Sequence, residues 1–582
     1  MTNNTDPTVS NPADHVAKLL MDEFNSFYGA FKAIPERAKE AFEQMNHAES
    51  LRLSNERIQL YSLSIKEFSE RVKAEFSELA RNESSWDQVE QGYKSLIEGK
   101  YFADLAMAYL HSIRRKIYRG EWRVEDYAIY RSKYETDEGI SDHLDQYTVS
   151  RRLDISTIIQ ILQRENFTCG YQDIDRDASR IVERATRNLD LDNRLLENDL
   201  VIEMYQAGFY RNRGAYLVGR ATFDGVRYRP FIIALLNSEN GIVVDALITS
   251  STYAHNMFSS TLANFHVTNE YYHELCRFLR SIMPMRPLGL HYSTIGYNHL
   301  GKVAVMNEME GEREQSGQQM EIAPGTPGTV AIGFCLPDSA YVVKVIRDTP
   351  TSGYKWGAFE GTESVLNKYR KVHEINRTDS MLDSMLFYNL RMNADWFNEE
   401  LQQQLLDYAS ECVTLDQGSL VFKYLIVQRK LTPLPVYLKN ASKKQAENAM
   451  INLGYCIKNN AAGNIFNRDL DARNYGVTTY SKVYLFDYDA LEELTEVKIR
   501  TNTNRIDGEE DIPDWYFEDG VVFLPEELTT GLCLPHRDLR RLFQDQHNAL
   551  HSIDYWEDIQ TDLEQGNVPS VSVYPDTEKL AD

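Results

Sequence analysis

The stretch AAGNIFNRDLDARNYGVTTYSKVYLFDYD, residues 461–489, decides the fold of this chain. It places Asp469 five residues before Asn474, and Asp487 thirteen residues after Asn474. This is the spacing of a protein-kinase catalytic loop, followed by a strand and a metal-binding carboxylate. The alternating residues 482–486 predict that strand. The chemistry explains the spacing, because one carboxylate must meet the attacking hydroxyl while an amide and a second carboxylate hold Mg²⁺.

The motif departs from the common kinase pattern in two places. Asn467 stands where the usual histidine lies, and Tyr488 and Asp489 replace the Phe-Gly pair after the metal-binding aspartate. An alternative interpretation is a loop and a hairpin with solvated carboxylates. A calcium-binding loop beginning at Asp469 is excluded, because Tyr480 stands where the bidentate Glu belongs.

The parts of a kinase N-terminal lobe precede this stretch in the expected order. A glycine-containing turn is followed by predicted strands at 330–336 and 340–346, and the second strand carries Lys344. In a kinase the backbone of such a turn covers the phosphates of ATP, and the lysine reaches them. A helical region and an apolar strand at 420–428 come next. The turn consists of Ala323, Pro324, Gly325, Thr326, Pro327, Gly328 and Thr329.

The acidic partner of the kinase lysine is left open by the sequence. Glu363 and Glu374 both lie in the helical region after Lys344, and either one fits the ion pair of an active kinase.

Composition and charge narrow the class of protein. A chain of 582 residues with 42% hydrophobic residues predicts more than one globular domain. The formal charge of -25 argues against nonspecific binding to nucleic acid or to an anionic membrane. Six scattered cysteines without a CxxC pair indicate neither a disulfide framework nor a zinc site. The start of the chain does not read as a secretion signal, and no apolar run predicts a membrane span. We therefore expect a cytoplasmic protein.

The periodicity of the chain predicts an α+β fold with four parts. Residues 1–11 are polar and predict a disordered tail. Residues 12–306 predict a mainly helical domain with a small antiparallel sheet, which includes a three-strand meander between 215 and 249. The polar segment 307–320 predicts a linker. Residues 321–582 predict a bilobal, protein-kinase-like domain. Within the first helical region, Pro35 is expected to interrupt the helix.

Several motifs occur together and in one order along the chain. They are FYRNRGAYLVGR at 209–220, APGTPG at 323–328, VKVIRD at 343–348, the NIF–D–NYGV–FDYD pattern at 464–489, TEV at 495–497 and WYFEDGVVFLPEEL at 515–528. In these segments the chain resembles the bacterial isocitrate dehydrogenase kinase/phosphatase family, and the similarity extends from about residue 15 to about residue 575.

The resemblance implies a bifunctional enzyme. Family members phosphorylate a serine of NADP-dependent isocitrate dehydrogenase, which inactivates it, and also remove that phosphate. They use one nucleotide site with ATP or ADP and Mg²⁺, and in this way divide carbon between the citric acid cycle and the glyoxylate bypass. The domain before the kinase domain is implied to be regulatory and to bind AMP as an allosteric effector. The oligomeric state stays open, a homodimer included.

The resemblance also assigns roles to individual residues. Residues 323–329 match the ATP loop, and Lys344 matches the lysine that contacts ATP. Asp469 matches the catalytic aspartate, while Asn474 and Asp487 match the metal ligands. Two further carboxylates are implied to belong to the active site, Asp489 for the phosphatase direction and Asp383 through a weaker local match.

Two alternatives stand beside the bifunctional enzyme. One is a protein kinase without phosphatase activity, because nothing in the residues by themselves requires hydrolysis. The other is a nucleotide-binding pseudokinase scaffold. The complete set of Lys344, Asp469, Asn474 and Asp487 argues against a scaffold, which has no need of all four.

Overall fold

The computed structural model describes residues 12–123, 139–195, 197–258, 265–324, 328–353, 359–375, 380–502, 519–567, 569–571 and 573–580. The predicted disordered tail, residues 1–11, lies outside these ranges, as do Gly325, Thr326 and Pro327 of the predicted ATP loop and the side chain of Glu374.

The N-terminal part is mainly helical with an antiparallel sheet, as the sequence predicts. Its helices are α1 (Pro12–Glu43), α2 (His47–Glu75), α3 (Ser77–Arg81), α4 (Trp86–Ile97), α5 (Ala103–Tyr118), α6 (Ile155–Gln163), α7 (Ile174–Leu189), α8 (Leu191–Arg194), α9 (Ser251–Phe258), α10 (Tyr272–Ile282), α11 (Leu288–Thr294) and α12 (Asn298–Ser316). Its strands are β1 (Trp122–Arg123), β2 (Leu144–Val149), β3 (Leu200–Arg211), β4 (Gly214–Thr222), β5 (Arg229–Ser238), β6 (Gly241–Ile248) and β7 (His266–Val267).

The sheet of this part has the strand order β2-β3-β4-β5-β6, and β7 pairs with β3. Its last three strands are the meander that the sequence predicts. Every residue of β4 is buried, because helices cover both faces of the sheet. Side chains on one face pack with α1, α2, α4 and α5, and those on the other face pack with α6, α7 and further residues of α1 and α2. The strands therefore read as apolar runs without strict alternation.

Helix α1 continues through Pro35, so the expected interruption is wrong. Ile34 and Ala38 on either side of the proline are buried against the sheet. Proline in a helix interior removes one hydrogen bond and costs about 3 kcal/mol. Because the apolar face of α1 is buried before and after Pro35, packing holds the helix together at this point.

The C-terminal part contains a mixed α and β structure. Its helices are α13 (Thr362–Ile375), α14 (Glu399–Tyr408), α15 (Leu434–Asn440), α16 (Lys443–Ala462), α17 (Leu528–Gly531), α18 (Arg537–Gln546) and α19 (Ile553–Glu564). Its strands are β8 (Glu321–Ile322), β9 (Ala331–Cys335), β10 (Tyr341–Ile346), β11 (Ser384–Asn393), β12 (Val413–Asp416), β13 (Ser419–Arg429), β14 (Thr432–Pro433), β15 (Ile465–Asn467), β16 (Tyr475–Val477), β17 (Val483–Leu485), β18 (Leu491–Glu493), β19 (Lys498–Ile499) and β20 (Val522–Phe523).

One sheet forms the upper lobe of this part, in the order β1-β11-β13-β10-β9-β8, with β12 beside β13. Strand β13 leads into a lower lobe of helices α15, α16, α18 and α19 and short strand pairs. Strand β1 comes from the N-terminal part and pairs in parallel with β11. The core of the upper lobe also takes in Leu290, Val305 and Met309 from the N-terminal part. The two parts are therefore joined by a shared core.

Residues 307–316 of the predicted linker are helical, because they form the second half of α12. The polar side chains here are structural acceptors. Glu308 accepts hydrogen bonds from the Leu288 amide at 2.8 Å and from the Tyr341 hydroxyl, while Glu312 accepts from the Ser339 hydroxyl at 2.5 Å. Because carboxylates hold this part of the helix in place, its sequence lacks the regular spacing of apolar residues that marks an amphipathic helix. The segment therefore resembles a linker in sequence.

Candidate active site

The catalytic loop begins where β15 ends. The Asn467 side-chain oxygen accepts a hydrogen bond from the Asp469 amide at 3.1 Å. The Asn474 side-chain amide donates to the Asp469 carbonyl at 2.8 Å. Asparagine at 467 therefore supports the loop in the position where a kinase usually has histidine. Because the Asn474 nitrogen is used in this way, its amide oxygen is the atom that remains for a cation.

A hairpin brings the second metal-binding candidate to the loop. Strands β16 and β17 pair with Tyr475 opposite Leu485, and the Phe486 amide donates to the Asn474 carbonyl at 3.1 Å. Asp487 follows directly, so this antiparallel pairing places it beside Asn474. The sequence prediction that these residues lie together agrees with the structure.

Lys344 on β10 connects the upper lobe to this loop. Its ammonium group donates to the Phe486 carbonyl at 3.0 Å and lies 4.8 Å from the centroid of the Phe486 ring. The side chain is almost fully buried, and burial lowers the pKa of Lys344 although the charges of Asp487 and Asp489 oppose this. The lysine of the upper lobe and the carboxylates of the lower lobe therefore meet at one point.

Three carboxylates gather at this point. Burial, followed by the charges of Asp487 and Asp469, raises the pKa of Asp489 to about 7, while Lys344 and Lys368 act in the opposite direction. Carboxylates this close repel one another, and a bound cation relieves the repulsion. Within the described ranges, no three His, Cys, Asp or Glu side chains form a complete metal cage. A kinase metal site does not need such a cage of three side chains, because one amide, one carboxylate and the phosphates supply the ligands.

Helix α13 contacts the site through Lys368 and Tyr369, and not through the predicted ion pair of Glu363 with Lys344. Glu363 pairs with Arg370 at 2.5 Å and its side chain is 71% exposed, so it does not pair with Lys344. Instead, the Lys368 ammonium donates to the Asp489 carbonyl at 2.8 Å, and the Tyr369 ring lies 4.8 Å from that of Tyr488. Lys368 cannot be recognised as a site residue from the sequence, because a lysine on an amphipathic helix looks like any other solvent-exposed lysine.

The described ends of the predicted ATP loop lie at the turn between β8 and β9. The Ala323 amide donates to the Gly333 carbonyl, and the Thr329 carbonyl accepts from the Thr351 amide, both at 2.9 Å. A Cβ atom at Gly328 would lie 2.7 Å from the Ala331 carbonyl oxygen, so this tight turn requires glycine. Pro324 precedes the residues that the structure does not describe.

Asp383 lies immediately before β11. Its carboxylate accepts a hydrogen bond from the Arg286 guanidinium at 2.9 Å, and both side chains are almost fully buried. Burial raises the pKa of Asp383 to about 6, although Arg286 and Arg429 act in the opposite direction. The structure therefore places this predicted catalytic residue in an ion pair with the N-terminal part.

Comparisons with known proteins agree with these observations. Residues 17–317 match the family model described as the isocitrate dehydrogenase kinase/phosphatase (AceK) regulatory domain, and residues 318–576 match the AceK kinase domain. The chain is 44% identical to isocitrate dehydrogenase kinase/phosphatase of Rhodopseudomonas palustris (strain TIE-1), over 97% of this chain and 92% of the relative. It is 29% identical to the protein of that name from Azoarcus sp. (strain BH72), over 97% of this chain and 96% of the relative. None of the helices in the described ranges has the length and hydrophobicity that a membrane crossing requires.

Proposed function

Because the chain belongs to the isocitrate dehydrogenase kinase/phosphatase family, we propose that it phosphorylates a serine of NADP-dependent isocitrate dehydrogenase and removes that phosphate at the same site. Phosphorylation inactivates the dehydrogenase and dephosphorylation reactivates it, so the enzyme directs carbon between the glyoxylate bypass and the citric acid cycle. The observation that carries this proposal is the bond between Lys344 and the Phe486 carbonyl, which brings the upper lobe to the carboxylates of the lower lobe.

The donor set at the site fits Mg²⁺. Asn474 and Asp487 offer oxygen atoms, which this cation prefers, and the clustered carboxylates favour a positive charge. Asn474 and Asp487 would hold the ion together with the phosphates of ATP. When bound, Mg²⁺ neutralises charge on the phosphoryl group that is transferred.

The protein groups perform the rest of the forward reaction by positioning. Asp469 orients the serine hydroxyl and accepts its proton, because its backbone is fixed from both sides by Asn467 and Asn474. Lys344 holds the phosphates as a point charge, and the backbone of residues 323–329 covers them. Catalysis of this kind depends on electrostatic preorganisation.

Asp489 is suited to the reverse direction. Its carboxylate lies beside those of Asp487 and Asp469, and a carboxylate in this position can act as a general base. In hydrolysis, we assign it to orient the attacking water and to take up its proton, while Asp469 returns a proton to the serine oxygen, inorganic phosphate leaves and ADP is a cofactor in the nucleotide site. If ADP is instead the acceptor, its terminal phosphate oxygen attacks, ATP forms and no water is consumed.

The experiment that tests the function follows phosphate on the dehydrogenase. Purified protein is incubated with NADP-dependent isocitrate dehydrogenase, Mg²⁺ and labelled ATP, after which free ATP is removed and ADP and AMP are added. We expect label to enter the dehydrogenase as its activity falls, and then to leave as activity returns, with both steps abolished in Asp469→Asn. Incorporation without loss would identify a plain kinase. Mg²⁺-dependent nucleotide binding without incorporation would mean that the enzyme has another substrate or that the protein is a scaffold.

AMP binding belongs to the same proposal, and a basic cavity between the domains supports it. A cavity of about 140 Å³ lies between the two domains. Ser112, Arg115 and Lys302 line it from the regulatory domain, and Phe387 and Tyr388 line it from β11. Burial, followed by the charge of Arg115, lowers the pKa of Lys302 to about 8. Two neighbouring cations beside aromatic rings suit a phosphate with an attached base.

The size of the cavity connects AMP binding to domain arrangement. Pockets that enclose a whole small-molecule ligand usually measure roughly 300 Å³ or more, so the walls must separate before AMP fits. Because the walls belong to different domains, the ligand favours an arrangement in which these domains are further apart here. We also infer that the enzyme acts in the cytoplasm, together with its substrate.

A further inference from the structure

A buried ion pair connects the regulatory domain to the start of β11. Arg286 lies between α10 and α11, and besides Asp383 its guanidinium donates to the Leu290 carbonyl at 3.2 Å and to the Thr294 hydroxyl at 2.8 Å. The regulatory domain therefore fixes the guanidinium from its own side. Asp383 is the kinase-domain group that this cation meets.

The chain next to Asp383 is bonded directly to the metal-binding loop. The Leu382 amide donates to the Leu485 carbonyl at 3.1 Å, and the Leu382 carbonyl accepts from the Tyr488 hydroxyl at 2.5 Å. Tyr488 stands between Asp487 and Asp489 and is fully buried. A displacement of Asp383 therefore reaches both carboxylates through two hydrogen bonds on one neighbouring residue.

A second contact leads from the same regulatory turn to the same hairpin. The Arg429 guanidinium at the end of β13 donates to the Met285 carbonyl at 2.9 Å and to the Tyr480 hydroxyl at 2.6 Å. Tyr480 lies in the turn between β16 and β17, and β17 leads into Asp487. Two independent connections thus run from residues 285–286 to the segment that carries the metal-binding carboxylate.

The ion pair has incomplete hydrogen bonding. The second carboxylate oxygen of Asp383 and Nε of Arg286 have no hydrogen-bond partner among the described residues. Buried polar groups are normally satisfied, and a partly satisfied group is costly. The pair is therefore not locked into its present geometry by a full set of bonds, so a shift of the regulatory domain can rearrange it.

We infer that Arg286 is a positioning residue for the metal-binding loop, acting through Asp383 and Tyr488. This inference rests on the proposed function, in which Asp487 holds Mg²⁺. Asp383 then affects the reaction without touching the phosphates. This explains in physical terms why the family resemblance implies that Asp383 belongs to the active site.

The test measures the Mg²⁺ requirement of the kinase reaction in the full chain. At saturating ATP, with Mg²⁺ varied in excess over ATP, we expect Arg286→Met to raise the half-saturating Mg²⁺ concentration by about fivefold or more, the lower end of typical couplings between sites. Asp383→Asn should act in the same direction, and Arg286→Lys, which keeps the charge, should recover part of the loss. If Arg286→Met does not fold, Arg286→Lys and Asp383→Asn can be measured in its place.

Arg391 supplies a matched control at the other end of β11. Its guanidinium pairs with Glu121 of the regulatory domain and with Asp416 at 2.6 Å. Arg391→Met removes an ion pair between the same two domains on the same strand, without a bond to the metal-binding loop. We expect it to lower the melting temperature and to leave the half-saturating Mg²⁺ concentration unchanged.

Tyr488→Phe tests the part of the route that runs through the Tyr488 hydroxyl. It removes the bond to the Leu382 carbonyl and leaves the Leu382 amide bonded to the Leu485 carbonyl, so adding Arg286→Met to this background should raise the Mg²⁺ requirement by a smaller factor than it does in wild type. Fully multiplicative effects, or a Mg²⁺ requirement of Arg286→Met equal to that of wild type, would overturn the inference. If wild-type phosphorylation itself does not depend on Mg²⁺, the proposed function fails instead, and the two failures are distinguishable.

Discussion

The acidic cluster of the active site and the basic cavity between the domains are opposite in charge and similar in construction. In the first, burial and like charges raise the pKa of Asp489 to about 7. In the second, burial and Arg115 lower the pKa of Lys302 to about 8. Both environments push a group toward its neutral form, so both favour a ligand of opposite charge. In each of these two sites, a buried titratable group lies beside neighbours of the same charge.

The two sites differ in how the chain assembles them. Asp469, Asp487 and Asp489 lie within one short segment that folds as a loop and a hairpin. The basic cavity draws on α5, α12 and β11, which are far apart in the chain and belong to two domains. A site made by one segment feels domain movement only through contacts such as the Arg286–Asp383 pair, whereas a site made by two domains changes directly with them. The first arrangement suits catalysis and the second suits regulation.

The largest expected effect comes from removing charge in the acidic cluster. Asp487→Asn keeps the shape of the side chain and loses the metal-binding carboxylate, so we expect both phosphorylation and dephosphorylation to fall by about 10³-fold or more. Because repulsion in the cluster is relieved, the melting temperature without Mg²⁺ should rise. Rates with purified dehydrogenase and thermal unfolding with and without Mg²⁺ measure the two effects.

A surface aspartate provides the control for this change of charge. Asp545 on α18 is 68% exposed, and Asp545→Asn should alter neither the rates nor the melting temperature. Survival of dephosphorylation in Asp487→Asn, with phosphorylation lost, would show that the two reactions do not share one site.

The contrast between local and distant assembly explains what the sequence could predict. The positions of Asn474 and Asp487 follow from the register of one short hairpin, which alternation and spacing reveal. Lys344 follows from the order of parts in a kinase lobe. The pairing of Arg286 with Asp383 joins residues of two domains, and neither residue has a local signal of its partner.

Tertiary packing also overrides local signals in the backbone. Pro35 is a helix breaker in isolation, yet α1 continues because its face is buried on both sides. The second half of α12 resembles a polar linker, yet Glu308 and Glu312 are acceptors for chain segments from both domains. The strand pairing of β1 with β11 is too short to predict, since two residues carry no period.

Glu308 is a buried carboxylate outside the acidic cluster, so it can be used to test whether burial alone is enough to shift a pKa. Burial is the largest cause that raises the pKa of Glu308 from 4.5 to about 7. The folded chain holds this proton where the unfolded chain releases it, so the group lowers stability progressively as pH rises from about 4.5 to about 7. At 1.36 kcal/mol per pKa unit, the loss is on the order of 3 kcal/mol above pH 7.

Glu308→Gln should therefore become more stable relative to wild type as pH rises. Denaturant unfolding at about pH 5 and about pH 8 measures the difference in the free energy of unfolding. Glu183→Gln is the control, because this side chain is 74% exposed and its carboxylate stays in water in both states. A difference for Glu308→Gln that is independent of pH would mean that the carboxylate is ionised at little cost in the folded chain.

The smallest expected effect concerns the basic cavity. Lys302→Met removes the buried ammonium while keeping an unbranched side chain, so the affinity for AMP should fall about tenfold or more, since a hydrogen bond between charged groups contributes about 1.5–3 kcal/mol. Calorimetric titration of the full chain with AMP measures this change in affinity. Lys423→Met removes a lysine from the exposed side of β13 and should leave the affinity unchanged.

A second cleft between the domains makes this last prediction decisive. It measures about 800 Å³ and is lined by Arg213 of the regulatory domain and by Lys458 on α16. It is large enough for a nucleotide without any movement, whereas the cavity at Lys302 is not. If AMP affinity depends on Lys458 and not on Lys302, then the effector binds an open cleft and does not need to separate buried walls. The contrast between an acidic site assembled by one segment and a basic site that opens between two domains would then fail.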